Sequence, residues 1–313
     1  MASWIDKLLS RQPGQALRHL APRAALVRDA DAVSETNSQQ AFPPALNRLV
    51  EHAAGQATFG LDVLSKLVEG LEDELAAPPG FRSLGKAALG CAMWMNDPEL
   101  IEVLDRMTNV CVVVRKQTRD RYAQADTTAL KTLADTGGLS QKAFPDLAEL
   151  APRGDDGRPT IVGPFGPDAT DGVISAVREL GFRALSKGKL VPMVHAKTML
   201  VGELWWHDEH PSGHVADVIG FRPHKLWVGS PNFTANSRSS LEMGMWTTDP
   251  ALLTAARNWL LALIEMSEPL GVGSDDLEPE YLPVEYDDDA IREYMAENRL
   301  GCPPRRGRLI AHV

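Results

Sequence analysis

The sequence predicts an α/β fold built on a central sheet, with a helical region before it and an acidic tail after it. Three observations predict this. Continuous apolar runs at Ala87–Met95 and Val110–Val114 have the length of strands buried on both faces. Between them, Asn96-Asp97-Pro98 opens a helix over Glu99–Met107, because Asn or Asp caps a helix and proline suits its first turn. A strand-helix-strand unit of this length makes the two strands parallel through a right-handed crossover.

The elements follow in order. Residues 1–80 read as a helical accessory region, with apolar spacing at Ile5, Leu8 and Leu9, then at Ala45–His52 and Leu61–Leu75. The polar stretch Asp29–Gln40 reads as a connection, and Ala76-Ala-Pro-Pro-Gly80 stops the region. Residues 81–270 form the second domain. Beyond its first strand-helix-strand unit, Thr127–Thr136 reads as a helix, Arg153–Gly157 as a turn and Thr160–Val162 as a short strand. Ala169–Leu180 reads as an amphipathic helix ended by Gly181. Val191–Val201, Leu226–Val228 and Leu241–Trp246 read as strands, and Leu252–Met266 as a closing helix. Residues 271–313 form the tail.

Composition narrows the function classes. The chain has 313 residues, 44% hydrophobic and 24% charged, which excludes a collagen-like or globally disordered chain. Its three cysteines (Cys91, Cys111, Cys302) are widely spaced, so neither a disulfide framework nor a zinc knuckle is expected and a reducing cytoplasm is. No run has the apolar length of a spanning helix, and the start does not read as a signal peptide. The net charge of −10 argues at first against a polyanionic partner. However, residues 275–297 hold ten acids against the single base Arg292, so the acidity belongs to the tail.

Chemistry-bearing residues concentrate between 191 and 246. His195 and Lys197 are two apart, which in a strand puts both side chains on one face. Ser230 and Asn232 repeat that spacing after Gly229, and Glu242 is an acid in an apolar run. An ammonium and a carboxamide hold the oxygens of a phosphodiester. An imidazole attacks phosphorus or protonates a leaving oxygen, and a carboxylate fixes its tautomer. Basic support comes from Arg115, Lys116, Arg119, Arg121, Lys187, Lys189, Arg222, Lys225 and Arg238.

His195-Ala-Lys197, then Gly229-Ser-Pro-Asn232-Phe-Thr234, then Glu242-x-Gly244 resembles the phospholipase D superfamily, with its H-x-K-x4-D…G-S-x-N signature. The resemblance implies a phospholipase D-like α-β-α sandwich with a mixed central sheet. It also implies phosphodiester hydrolysis through a phosphohistidine, without a metal or other cofactor. The family's site needs two H-x-K signatures, and of eight histidines here only His195 is followed by such a lysine. A homodimer with one composite site is therefore implied, as in the small bacterial nucleases of the family.

Two departures stand out. Gly202 occupies the family's Asp position, with Glu203 next to it, and 203–228 is far longer than the family's connection. This insertion reads as a polar loop over the mouth of the site. Within it, His207, His210 and His214 form a less favoured candidate zinc set, and Trp205 and Trp206 suit base stacking or core packing.

A nuclease, on DNA rather than RNA, is the leading reading. The alternatives are a lipid phosphodiesterase and an inactive scaffold that binds a protein partner through residues 1–80. A helical accessory region beside such a nuclease would suit a bacterial defence system.

Overall fold

The computed structural model describes residues 50–51, 57–116, 128–164, 172–181, 194–207, 218–271 and 279–299. The expected helix near Ile5–Leu9, the Asp29–Gln40 connection and the tail beyond residue 299 lie outside them. So do Arg119, Arg121, Lys187, Lys189, His210 and His214.

Small and β-branched residues let strand β3 (Ser83–Ala92) and strand β4 (Asn109–Arg115) bury both faces. They run parallel from Ala87 opposite Asn109 to Ala92 opposite Val114. Between them lies the expected helix, over Pro98–Asp105, with the Asp97 side chain accepting from the Leu100 N–H at 2.9 Å. The same device starts the closing helix Pro250–Glu265, where Asp249 accepts from the Leu252 N–H at 2.8 Å. Each cap satisfies a donor that the first helical turn leaves open.

Around this unit the chain builds a nine-stranded mixed sheet. With β1 (Val50–Glu51), β2 (Ala57–Leu61), β9 (Val177–Leu180), β10 (Thr198–His207), β11 (Val218–Gly229), β12 (Leu241–Thr247) and β13 (Glu268–Pro269), its order is β1-β2-β12-β11-β10-β3-β4-β9-β13; the short strands β5 (Gly138–Ser140), β6 (Leu150–Pro152), β7 (Ile161–Val162) and β8 (Val173–Ser175) lie in separate two-stranded pairs. Strands β3, β4 and β9 are parallel and the other pairings of the nine-stranded sheet antiparallel. Helices Val63–Ala76, Pro98–Asp105 and Thr128–Thr136 cover one face, where Leu64, Leu67, Leu100 and Leu130 meet Val112, Met199 and Trp227. Helix Pro250–Glu265 covers the other, where Leu260 and Ile264 meet Val113, Leu200 and Phe144. This is the α-β-α sandwich with a mixed sheet that the sequence implied.

Several expectations change. The segment expected to be a helix to Leu180 contains two strands, Val173–Ser175 and β9, among its described residues. Arg178 and Glu179 look locally like the wet side of a helix, yet both are fully buried. Arg178 reaches Ser267 Oγ at 2.6 Å and Glu280 at 2.7 Å, and Glu179 accepts from the Gly271 N–H at 3.0 Å. Partners so distant in sequence leave no trace in a local pattern. Within Ala45–His52, the described Val50 and Glu51 are strand, not helix.

Packing also crosses the expected boundaries. Strand β2 pairs with β12, and helix Val63–Ala76 is a layer of the main core although it precedes residue 80. After residue 270, Tyr281–Pro283 pairs with Leu150–Pro152, and Glu285–Tyr286 with Ile161–Val162. The described part of the acidic segment thus includes a strand-paired arm, Tyr281–Tyr286, whose Glu285 and Tyr286 are exposed, followed by the mostly exposed helix Asp288–Arg299.

The insertion departs most from expectation. It lengthens a hairpin: β10 and β11 stay paired from Thr198 opposite Val228 to His207 opposite Val218. At ~3.3 Å per residue the described strand Thr198–His207 extends about 30 Å from its Thr198 end. The described flanks of the insertion are therefore paired strand that leads away from His195, not a polar loop.

Candidate active site

His195 and Lys197 sit on the extended lead-in to β10, at the carboxyl end of β3, where Thr198 pairs with Cys91. Lys197 Nζ lies 3.3 Å from His195 Nδ1. The imidazole is exposed, whereas the lysine is only 7% exposed. That burial lowers the Lys197 pKa, while the negative field of Glu242, and then of Cys91, works against the shift. A buried ammonium beside an exposed imidazole is suited to meet an anion.

Gly229, Ser230 and Asn232 arrive from β11. The Gly229 N–H donates to the Lys197 carbonyl at 3.1 Å, fixing the two motif segments side by side. The Ser230 N–H donates to the Met243 carbonyl at 2.8 Å, and the Met243 N–H to Ser230 Oγ at 3.0 Å. This reciprocal pair places the Ser230 hydroxyl against the Glu242 carboxylate, to which it donates. In this arrangement Glu242 is paired with Ser230, and His195 with Lys197. The residue types suggest a direct Glu242–imidazole contact; within the chain Glu242 instead bonds Ser230 and acts on Lys197 through its charge.

Asn232 is anchored through its neighbour. Phe233 forms a parallel bridge with Met95, its N–H donates to the Trp94 carbonyl at 3.0 Å, and its carbonyl accepts from Asn96 and Asp97. The carboxamide oxygen of Asn232 is enclosed and makes no hydrogen bond within the protein. Such an unspent polar atom is uncommon in a folded interior and typical of a ligand site.

The loop after Asn232 is clamped by residues the sequence reading had cast otherwise. Arg238 pairs with Asp97 (2.7 Å) and Glu99 (2.9 Å), and the Ala235 N–H donates to Asn96 Oδ1. Arg238, expected to serve a basic cleft, instead locks this loop to the helix that Asp97 caps. Lys116 is buried in an ion pair with Glu268, Lys225 is held by the Gly70 carbonyl at 2.6 Å, and Arg222 lies over the Trp205 ring at 4.6 Å. Sequence reasoning gave no role to Trp94 or to the Phe233–Met95 bridge, since neither belongs to a spaced motif.

Gly202 has a local explanation. A Cβ there would lie 2.0 Å from the Arg222 carbonyl oxygen, at a register shift between Val201 and Gly202. An Asp does not fit without moving backbone. Glu203, almost fully buried, accepts from the Gly80 N–H at 3.2 Å and lies 3.9 Å from Lys86 and 3.7 Å from His224. Glu74 joins the same cluster through His224 at 2.7 Å and Lys86 at 3.2 Å. These charges tie the first helix to three strands at the end of the sheet away from His195.

Of the candidate metal set only His207, the end of β10, is described; His210 and His214 lie outside the described residues. Among the described residues no group of three or more His, Cys, Asp or Glu is placed to hold a metal ion. Among the same residues no helix is long and apolar enough to cross a membrane.

No family model matches the chain, and no curated protein does. Among solved structures it is similar to NucT from Helicobacter pylori, at 11% identity and a TM-score of 0.39 over 69% of this chain and 99% of that one. It is also similar to Nuc from Salmonella typhimurium, described as a phospholipase D family member, at 14% identity and a TM-score of 0.36 over 68% and 95%.

Proposed function

We propose that the chain is a phosphodiester hydrolase of the phospholipase D type, acting as an endonuclease on DNA in preference to RNA. The observation that carries the reading is the meeting of two motif segments. The His195–Lys197 contact is joined by the Gly229–Lys197 backbone bond to the Ser230–Glu242 pair.

In this reading His195 of one protomer attacks phosphorus and His195 of its partner protonates the departing oxygen. A phosphorus–nitrogen bond forms as the phosphorus–oxygen bond breaks. Water, deprotonated by the second imidazole, then releases the phosphoryl group and regenerates the first. Lys197 and Asn232 hold the non-bridging oxygens, Ser230 fixes Glu242, and Glu242 balances the charge of Lys197.

One H-x-K per chain requires a second copy, and an apolar sheet face supports one. Leu241 and Met243 alternate with Glu242 and share a face with Phe59, opposite Met243, and with Val228, opposite Met245. These four side chains are 41–45% exposed, an apolar patch of the kind that marks an interface. The test is cleavage of plasmid and single-stranded DNA in EDTA by the wild type and by His195→Ala. Activity that is metal-independent and lost in the variant supports the reading. An absence of cleavage on any DNA or RNA overturns it.

A further inference from the structure

The rim of the site holds an aromatic residue outside the motif. Strand β3 ends at Ala92 opposite Val114, and two residues later Trp94 is bonded through its carbonyl to Phe233, the neighbour of Asn232. Trp94 therefore lies between the Asn232 loop and the end of β4, at the same end of the sheet as His195 and Lys197. Its indole is partly exposed. The guanidinium of Arg115, the last residue of β4, stands over the ring 5.9 Å from its centroid. The indole N–H is enclosed without a hydrogen-bond partner in the protein. The indole N–H of the core Trp227 also lacks a partner, so what distinguishes Trp94 is its partly exposed ring beside Asn232.

A flat π-surface beside a phosphate-binding lysine and carboxamide matches one ligand shape: a planar ring attached to a phosphodiester. Base–aromatic stacking is tolerant of base identity, and an arginine over the aromatic adds a cation to the platform. In a duplex, neighbouring base pairs already occupy both faces of each base, so the platform is open only to an unpaired or extruded one. Among the described basic residues, Lys116, Lys225 and Arg238 are engaged within the fold.

We propose that Trp94, with Arg115 over it, is the stacking platform for the nucleobase beside the scissile phosphate, and that the site takes single-stranded or locally unpaired strands. The inference rests on the nuclease reading and specifies its substrate. Trp94 positions the strand; the bond chemistry stays with His195.

The test pairs two removals: the indole, in Trp94→Leu with Trp94→Phe as the conservative variant, and the bases, in a strand carrying abasic residues on both sides of one cleavable linkage. On the intact single strand Trp94→Leu should lower kcat/KM about 10-fold, mostly through KM, and Trp94→Phe should recover most of it. At the abasic linkage the wild type should already be slow and neither substitution should slow it further. The duplex of the same sequence should be cut more slowly than the single strand. Equal losses on intact and abasic strands would make Trp94 merely structural and overturn the proposal, as would no loss on either. A wild type that cuts no strand overturns the nuclease reading and this inference with it. Turnover of phosphatidylcholine vesicles that depends on Trp94 would assign the indole to a lipid.

Discussion

Lys197 Nζ stands 3.3 Å from His195 Nδ1, buried where the imidazole is exposed. The contact is made before any substrate arrives, so the cation is fixed beside the proposed nucleophile. Burial lowers the lysine pKa, so Lys197 loses its proton at a lower pH than an ordinary lysine. The alkaline limb of kcat/KM should therefore fall below pH ~10.4, the ordinary lysine value. Lys197→Arg should move that limb upward, while Lys197→Ala should lower kcat/KM at least 100-fold below the limb, in line with the loss of one oxyanion partner, and by less above it. A pH–rate profile of the three proteins checks this.

Glu242 and Ser230 should behave as one unit. Glu242→Gln removes the charge that opposes the Lys197 shift, and Ser230→Ala releases the carboxylate. Each should lower kcat by about 10-fold or more with a smaller change in KM, and the double variant should lose less than the two losses combined. A kinetic double-mutant cycle reads this directly. Full activity of Glu242→Gln would remove that residue from the site.

The cluster at the other end of the sheet predicts acid sensitivity. Burial pushes the Glu203 carboxyl up, but the Gly80 N–H, Ser83, His224 and Lys86 outweigh it and hold the pKa below its ordinary value. Glu74 is likewise pushed up by burial and held low by His224 and Lys86. The folded state therefore binds these protons less readily than the unfolded chain. The associated stability is fully present above the ordinary carboxylate range and is lost as pH falls through the lowered values. Glu203→Ala should cost about 3–5 kcal/mol at neutral pH, as for breaking a buried pair, and should flatten the loss of stability below pH ~5. Gly202→Asp should fare worse, because its side chain meets the Arg222 backbone. Denaturant melts from pH 3 to 8 check both.

The tail should respond differently to two truncations. Ending the chain before Glu280 strips the partner of the fully buried Arg178 and should unfold or strongly destabilise the protein. Ending it after Tyr286 removes the exposed acidic helix and leaves the strand-paired arm in place. If the helix screens the cleft as a polyanion mimic, this second truncation should raise cleavage at low salt and lose its advantage at high salt. Initial rates across a salt series decide it.

The apolar face should hold two protomers together. Phe59→Glu, set across from Met243, should convert the protein to monomers in sedimentation velocity and reduce cleavage in the same measure. A fully active monomer would contradict the composite site.

How much of this was legible in the sequence varied with the range of the contacts. The strand-helix-strand unit was readable because its apolar runs and Asp97-Pro98 cap are local signals. The motif residues were named from their order and spacing, yet His195, Lys197, Ser230 and Asn232 lie just outside β10 and β11, so strand geometry does not place them. What stayed hidden depended on partners far along the chain: β9, whose Arg178 and Glu179 are satisfied from residues 267–280, and Arg238, whose charge is spent on Asp97 and Glu99. The 203–228 segment misled because its polar composition suggests a loop, whereas its ends continue two central strands. Trp94 carried no signal at all, since its place beside Asn232 is set by a bridge between residues 95 and 233.

The central claim is that His195 forms a covalent bond to phosphorus. The most direct measurement is an acid-free denaturing quench of the protein during turnover of an end-labelled single strand, followed by mass spectrometry of the peptide containing His195. The account predicts a phosphoryl-linked nucleotide on His195, at up to one per two chains, that chases away with further turnover and is absent in His195→Ala. Sustained cleavage by His195→Ala, or label on any residue other than His195, would contradict it.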